Sequence, residues 1–513
     1  MADQRSVTRT KDVETVLHQN DDPAGDGEQH DGLKRTLGAK DLIGFGVGIV
    51  IGTGIFTLTG TSAKNFAGPG VVFSFLIAGL VSLLAALCYA ELAAAVPTAG
   101  SSYTYAYTTI GEIFAWIIAW DLILEFALGA AVVARGWSGY LQEAFNLPQA
   151  WFGEENSVVN LGAVAIALVL GIVATVGITE SKWVTNLLVV IKVSVCLFVI
   201  AVGAFFVKTA NWSPFVPPSR PMSAENAASG LKEPLWQFVT GVDPTAFGIT
   251  GVVVAAGIVF FAYSGFEAVA NLGEETKDPG KDMPRGLIGT LLLCTLLYVG
   301  VCLVLTGMVR YSDLSEGAPI SDAFSQAGLG WAGVLIGVAA VAGLSSVILV
   351  DIVAMGRIGF ALCRDGLLPA SIGRVHPRFQ TPVRITLATT AAVCLLGAFV
   401  PLATLAEMVS IGTLFAFLVV SIAVAVLRRT KPRMERPFRT PAVPLLPILS
   451  GLSCMVLMTS LAVETWLRFL VWLVLGLGIY WFYGRKHSHL APGNLVASAY
   501  TRRDADGPAT PQE

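Results

Sequence analysis

Charge is scarce in this chain: 33 Lys and Arg and 36 Asp and Glu among 513 residues make up 13% of the total. That excludes an ordinary water-facing globular surface, since soluble domains carry about 25% charged residues. Histidine is scarcer still, and all five (18, 30, 376, 487 and 489) lie outside the long apolar stretches. This argues against a histidine proton relay or a metal site inside such a stretch. The seven cysteines (88, 196, 294, 302, 363, 394 and 454) all fall within apolar stretches. They read as small core residues, with no disulfide or metal framework among them. The loops lack a nucleophile-base pair, a glycine-rich phosphate cradle and any metal-ligand spacing, so nothing points to an enzyme, a cofactor or nucleic acid.

What the chain has is apolar length. Hydrophobic residues are 54% of the sequence and the mean hydropathy is +0.69, the composition of an all-α polytopic membrane protein. About twelve stretches can cross a bilayer, near 42–66, 70–96, 108–140, 158–178, 183–207, 247–271, 285–309, 328–362, 383–400, 403–428, 442–462 and 465–484. Residues 1 to about 33 are polar, rich in Asp, Gln and Gly, and expected to be disordered. A charged polar leader of this kind does not read as a cleavable signal peptide. The chain divides into an N-terminal segment 1–40, a transmembrane domain 41–485 and a tail 486–513.

Basic residues set the orientation. With the N-terminus inside, Lys34, Arg35, Lys40, Lys277, Lys281, Arg364, Arg374, Arg428, Arg429, Arg436, Arg485 and others gather on one side. The opposite side receives only Lys64, Lys208, Arg220, Lys232, Arg310 and Arg468. This positive-inside bias predicts both termini in the cytoplasm.

The first span is interrupted. It reads G-F-G-V-G-I-V-I-G-T-G-I-F over 44–56, and each interior glycine costs helix stability against alanine. Glycine alone would favour a face for close helix packing over a break. The sixth span decides between the two, because it carries a second interruption, Ser264-Gly265, with Glu267 just beyond. Breaks five spans apart are the mark of an inverted repeat with its site at mid-membrane depth. Freed backbone groups survive there only beside protein or a water-filled cavity. The N–H groups of Gly52, Thr53 and Gly54 would open the second half-helix, where the dipole is positive and suits a carboxylate.

Charges inside spans are costly and call for a role. Lys192 lies in the middle of span five, Glu125 in span three, Glu267 in span six and Asp351 in span eight. A lysine at such depth can change charge near physiological pH or bridge to nearby carbonyls. Asp351 needs a cation, which a substrate side chain or Lys192 would provide. Arg135 lies nearer the end of its span and reads as structural, while Glu91 and Arg357 sit close to the cytoplasmic ends, placed for helix-end ion pairs.

Several stretches carry a family resemblance: I-G-T-G-I-F (51–56), Y-A-E-L (89–92), the run 125–141, F-F-A-Y-S-G-F-E-A-V (260–269), E-E-T-K-D-P (274–279) and C-R-D-G-L-L-P (363–369). From about Lys34 to Arg485 the chain resembles the amino acid-polyamine-organocation superfamily. L-A-E-M-V-S-I-G-T-L-F-A-F (405–417), L-R-R-T-K-P (427–432) and R-P-F-R-T-P (436–441) look like its cationic amino acid transporter branch.

The resemblance implies a LeuT-like 5+5 inverted repeat with helices 1 and 6 broken, plus helices 11 and 12, and a bundle of spans 1, 2, 6 and 7 rocking against a scaffold of spans 3, 4, 5 and 8. It implies a substrate α-carboxylate on Gly52, Thr53 and Gly54, and an α-ammonium on the carbonyls of Val50, Phe261, Ala262 and Ser264. Glu125, Gly129, Glu267 and Asp351 are the candidates around the side chain. Glu267 stands where the branch more usually has Asp, and Asp351 where it has an apolar or small residue. Proton-coupled members carry a lysine at the junction of spans one, five and eight, which assigns proton coupling to Lys192. The expectation is a plasma-membrane importer of arginine, lysine or ornithine with a proton as coupling ion. An exchanger, a neutral amino acid permease and a non-transporting receptor stand as alternatives, and a companion subunit or dimer as a possible partner.

Overall fold

The computed structural model describes residues 35–96, 101–154, 158–177, 182–221, 230–273, 275–379 and 381–489. The expected disorder up to residue 33, most of the tail 486–513 and part of the loop 208–246 lie outside the described residues.

The described chain is almost wholly helical. Its one sheet is a two-residue antiparallel pair, β1 (Arg220–Pro221) with β2 (Thr245–Ala246). The helices that build the molecule are α1 (Ala39–Val50), α2 (Val71–Ala95), α3 (Ser101–Thr109), α4 (Glu112–Phe145), α5 (Leu161–Val176), α6 (Lys182–Gly203), α7 (Gly248–Val259), α8 (Pro279–Met308), α9 (Pro319–Gln326), α10 (Gly330–Arg364), α11 (Val383–Phe399), α12 (Leu402–Thr430), α13 (Leu445–Thr459) and α14 (Val463–Ile479). Among the described residues eight helical segments are long and apolar enough to cross a membrane, and α5, α11 and α13 are shorter apolar helices. This is an all-α polytopic membrane protein. Among the described residues the first helix starts at Ala39, and Thr36 and Leu37 donate to the Glu275 carbonyl just before it.

Local chemistry sets the helix limits. The Asp41 carboxylate accepts from Gly38 N at 2.9 Å and neutralises the positive start of α1. Asn160 caps α5 by accepting from Ala163 N at 2.9 Å, and Gly177, at φ +80°, ends it. Pro279 opens α8 where no N–H is needed.

Two sets of contacts mark the ends of the helix stack. At one end Lys277 N reaches Leu37 O, Tyr103 donates to Asp365, Tyr480 donates to Glu112, and Arg428 forks onto Glu91 at 2.8 Å through two nitrogens. At the other, Phe247 N reaches Phe66 O, Lys208 N reaches Gly307 O and Leu235 N reaches Leu461 O. Arg135 also belongs to this second end, bonding Glu154 at 2.7 Å and Val400 O at 2.7 Å.

Glu91 does not pair with Arg357. It is fully buried and takes Arg428, Arg436 and the Thr440 N–H instead. The Y-A-E-L, L-R-R-T-K-P and R-P-F-R-T-P stretches thus meet in space, held by charge-assisted hydrogen bonds.

Candidate functional site

Two interruptions meet in the interior. Helix α1 ends at Val50, Ile51 is extended (φ −74°, ψ 96°), and the chain resumes as a π turn over Gly54–Leu58. Helix α7 tightens into a 3-10 turn over Phe260–Tyr263, passes through Ser264 (ψ 145°) and Gly265 (φ +101°), and continues as a 3-10 run, Phe266–Leu272. The unwound pair in the first segment is Ile51-Gly52, slightly earlier than the expected 52–54. Thr53 already has helical angles. Gly52, Thr53 and Gly54 still stand in the first turn of the resumed helix, where N–H groups have no intrahelical acceptor.

The glycines do two jobs. At Gly54 a Cβ would run into the backbone of Ala262, so only glycine lets the two breaks touch. At Gly46 a Cβ would strike Thr290 of α8, and at Gly48 it would strike Val189 of α6. The packing role and the breaking role divide along one stretch.

A residue with no signal in the sequence ties the breaks together. The Tyr298 hydroxyl, on α8, lies 2.7 Å from Val50 O and 3.0 Å from Ala262 O. Phe261 O accepts from Ser264 N at 3.1 Å. Of the four carbonyls expected to receive an ammonium, three therefore already accept one hydrogen bond and offer a second lone pair.

Beside the breaks lies a cavity of about 70 Å³, room for roughly five to seven waters at 10–15 Å³ each. Val50, Gly52, Thr53, Gly54, Phe261 and Ser264 line it on the backbone side. Glu125, Gly129, Glu267 and Asp351 line the other. No lysine or arginine is among its lining residues. Ala262 is not among its lining residues, and neither is Lys192, which is expected outside the substrate pocket at the junction of the first, fifth and eighth spans.

The acids are held in different ways. Glu125 Oε1 accepts from Ser264 Oγ at 2.8 Å and from Thr413 Oγ1 at 2.7 Å. Both Glu267 oxygens accept from Gly265 N, at 3.0 and 3.1 Å. The two carboxyl groups lie within hydrogen-bonding reach of each other. Two carboxylates repel at that range, and a shared proton turns the contact attractive. Asp351 faces the bare Cα of Gly129, where a Cβ would stand 3.1 Å from its Oδ2.

Lys192 stands apart, at the junction of α1, α6 and α10. Its Nζ donates to Gly48 O at 2.6 Å, and its stem packs on Gly343. With Ser346 and Val347 it lines a smaller crevice next to the main cavity.

Asp121 was missed, although an acid four residues before Glu125 in the same span carried the same signal. It is fully buried, and neither carboxyl oxygen has a hydrogen-bond partner among the described residues.

Comparison with known proteins places the chain in a family. A family model described as "Amino acid permease" matches residues 37–482. The chain is 42% identical to the methylthioribose transporter of Bacillus subtilis, over 94% of this chain and 99% of that protein. It is also 42% identical to the branched-chain amino acid permease BcaP of the same organism, with the same coverage. To the vacuolar cationic amino acid transporter 4 of Arabidopsis thaliana it is 36% identical, over 83% of this chain and 68% of the relative.

Proposed function

The chain belongs to the amino acid permease family, transporters and not enzymes, and from that premise we propose that it imports a cationic amino acid together with a proton. The observation that carries this reading is the lining of the cavity, which has three carboxyl groups and no basic residue. An acid-only lining at membrane depth demands cations. One is the proton between Glu125 and Glu267, and the other is the substrate's side chain.

The substrate's α-carboxylate sits on the N–H groups of Gly52, Thr53 and Gly54, at the positive end of the resumed helix. Its α-ammonium takes lone pairs of the Val50, Phe261 and Ser264 carbonyls, which line the cavity. The guanidinium or ammonium of the side chain lies over Asp351, open to it because Gly129 has no side chain. Lys192 holds the broken end of α1 through Gly48 and serves as coupling group or fixed cation beside the site.

Twelve crossings, both termini in the cytoplasm and a plasma-membrane setting complete the proposal. The positive-inside bias supports the placing of the termini, and the eight long and three shorter apolar helices support the multiple crossings. The end of the stack holding Glu91, Glu112 and Asp365 is then cytoplasmic.

Two relatives favour a second reading. The branched-chain permease and the methylthioribose transporter are named for uncharged side chains or solutes, and a neutral substrate would leave Asp351 to hold a proton or hydrogen-bond a hydroxyl. A panel of amino acids and methylthioribose, tested by thermal stabilisation of the purified protein at two pH values, separates the readings. Arginine, lysine or ornithine should raise the melting temperature most, and Asp351→Ser should erase their advantage. Stabilisation by leucine or methylthioribose alone overturns the cationic reading. Uptake into proteoliposomes that persists when the proton gradient is collapsed overturns coupling.

A further inference from the structure

A binding cavity is fitted to its ligand by the polar groups that the protein itself leaves unsatisfied. Six polar side chains line the cavity beside the breaks: Thr53, Glu125, Ser264, Glu267, Asp351 and Asn271. Four of them are already engaged or sealed. Ser264 Oγ donates to Glu125 Oε1 at 2.8 Å, and Thr413 Oγ1 donates to the same oxygen at 2.7 Å. Both Glu267 oxygens accept from Gly265 N. Thr53 Oγ1 and the second Glu125 oxygen have no accessible surface, so neither can meet a ligand.

Asp351 and Asn271 remain. Among the described residues neither side chain has a hydrogen-bond partner. Asp351 stands on α10, bared by Gly129. Asn271 is half-buried in the run Phe266–Leu272, four residues past Glu267. The two come from different elements and open on the same cavity.

Their chemistry is complementary. Asp351 is an acceptor with charge, while Asn271 adds an uncharged acceptor in its Oδ1. A third carboxylate at that place would repel Asp351 and Glu267, and an amide does not. A cation that satisfies both groups must present N–H bonds in more than one direction. A guanidinium does so: its planar fork sets two N–H groups side by side on a carboxylate and leaves three others turned away. The ammonium of lysine is a compact, strongly hydrated point charge on one nitrogen, and it loses little when water replaces an amide beside it.

We infer that Asn271 selects arginine over lysine, its side-chain carbonyl accepting from the guanidinium N–H groups that Asp351 leaves unengaged. This rests on the cationic reading above and narrows it to amino acids that end in a guanidinium. Asn271 takes no part in moving the proton. Its role is specificity.

The test measures dissociation constants for arginine, lysine and leucine by titration calorimetry, on the purified full-length protein and on Asn271→Ala. The parent should bind arginine about tenfold or more tightly than lysine, the effect of one added hydrogen bond to a charged group. Asn271→Ala should weaken arginine by that factor while lysine stays within about threefold, so that the two become alike. The melting temperature without ligand should stay near that of the parent, because the amide holds nothing within the protein. If the truncation folds poorly, Asn271→Ser takes its place with the same expectation, since its hydroxyl falls one bond short of the amide oxygen. Equal weakening of arginine and lysine overturns the inference and leaves the cationic reading standing, and so does a parent that binds the two alike. A lowered melting temperature with all three ligands weakened marks a structural amide and also overturns it. Leucine bound more tightly than either basic amino acid overturns the cationic reading and this inference with it.

Discussion

At the scale of single residues, the site is defined by what is missing at Gly129 and by one hydroxyl on Tyr298. Gly129→Ala is expected to fold normally, because alanine is the better helix former by about 1 kcal/mol. Its Cβ would stand 3.1 Å from Asp351 Oδ2 and cover the carboxylate without removing it. The loss of a charge-assisted hydrogen bond, about 1.5–3 kcal/mol, should raise the KM for arginine tenfold or more while leaving that for any neutral substrate nearly unchanged. Uptake assays with both substrates check this, and an equal change in both KM values counts against recognition by Asp351. Tyr298→Phe leaves the carbonyls of Val50 and Ala262 without their common donor, at a cost of about 1–3 kcal/mol. Thermal melting should fall accordingly, and bound substrate should recover less of it than in the parent. The acids at 125, 267 and 351 were legible because a charge in an apolar run has few innocent explanations. Tyr298 was not, because tyrosine is ordinary in such a run and only the fold shows which carbonyls its hydroxyl reaches.

At the scale of elements, the breaks in α1 and α7 were legible through glycine cost and the five-span spacing, but their limits shifted. Where a helix resumes depends on the partner it meets. Gly54 touches the Ala262 backbone, so the π turn begins there and the opening closes down to Ile51-Gly52. The Y-A-E-L and R-P-F-R-T-P stretches were legible as motifs and not as partners, since nothing in the sequence says that residues 91 and 436 meet. Their meeting gives a prediction. Glu91 has no exposed surface and binds two arginines and a backbone N–H, joining α2 to α12 and to the loop before α13. Glu91→Ala takes both carboxylate bonds from Arg428 and the neighbouring negative charge from Arg436, which keeps the carbonyls of Leu427, Lys431 and Met434. Breaking a buried ion pair from one side costs about 3–5 kcal/mol, an upper bound here because Arg428 is 28% exposed. Purified Glu91→Ala should melt well below the parent. Arg428→Lys should not rescue normal stability, because an ammonium cannot reproduce the fork. A melting temperature unchanged in Glu91→Ala shows that the network is a passenger.

At the scale of the whole molecule, the charge bias gave an orientation, but which face is closed appears only in three dimensions. At the end opposite Glu91 and Glu112, the Tyr140 hydroxyl of α4 donates to Phe56 O at 2.5 Å. The α8–α10 connection that carries α9 packs over it, with Gly317 against Gly139 and Pro319 against Gly60. Glu316 fastens this connection to the resumed first helix, 3.1 Å from Asn65 Nδ2 and 3.6 Å from Lys64 Nζ. The cavity is therefore covered on that side, the condition an alternating-access carrier must meet in one half of its cycle and abandon in the other. Because Lys64 and Glu316 are 30% and 27% exposed, their pair contributes at most about 1 kcal/mol, enough to bias a two-state equilibrium about fivefold and not enough to lock it. Glu316→Ala should thus leave the fold intact and shift the population toward opening on that face. A cysteine placed at Val133, which lines the cavity, reports the shift. Its labelling by a membrane-impermeant thiol reagent added on that side should speed up by as much as about fivefold in Glu316→Ala, while labelling from the opposite face slows. Rates that rise on both faces would mean that the molecule has loosened, and rates that do not move would mean that Tyr140 and the α9 connection hold the closure without Glu316.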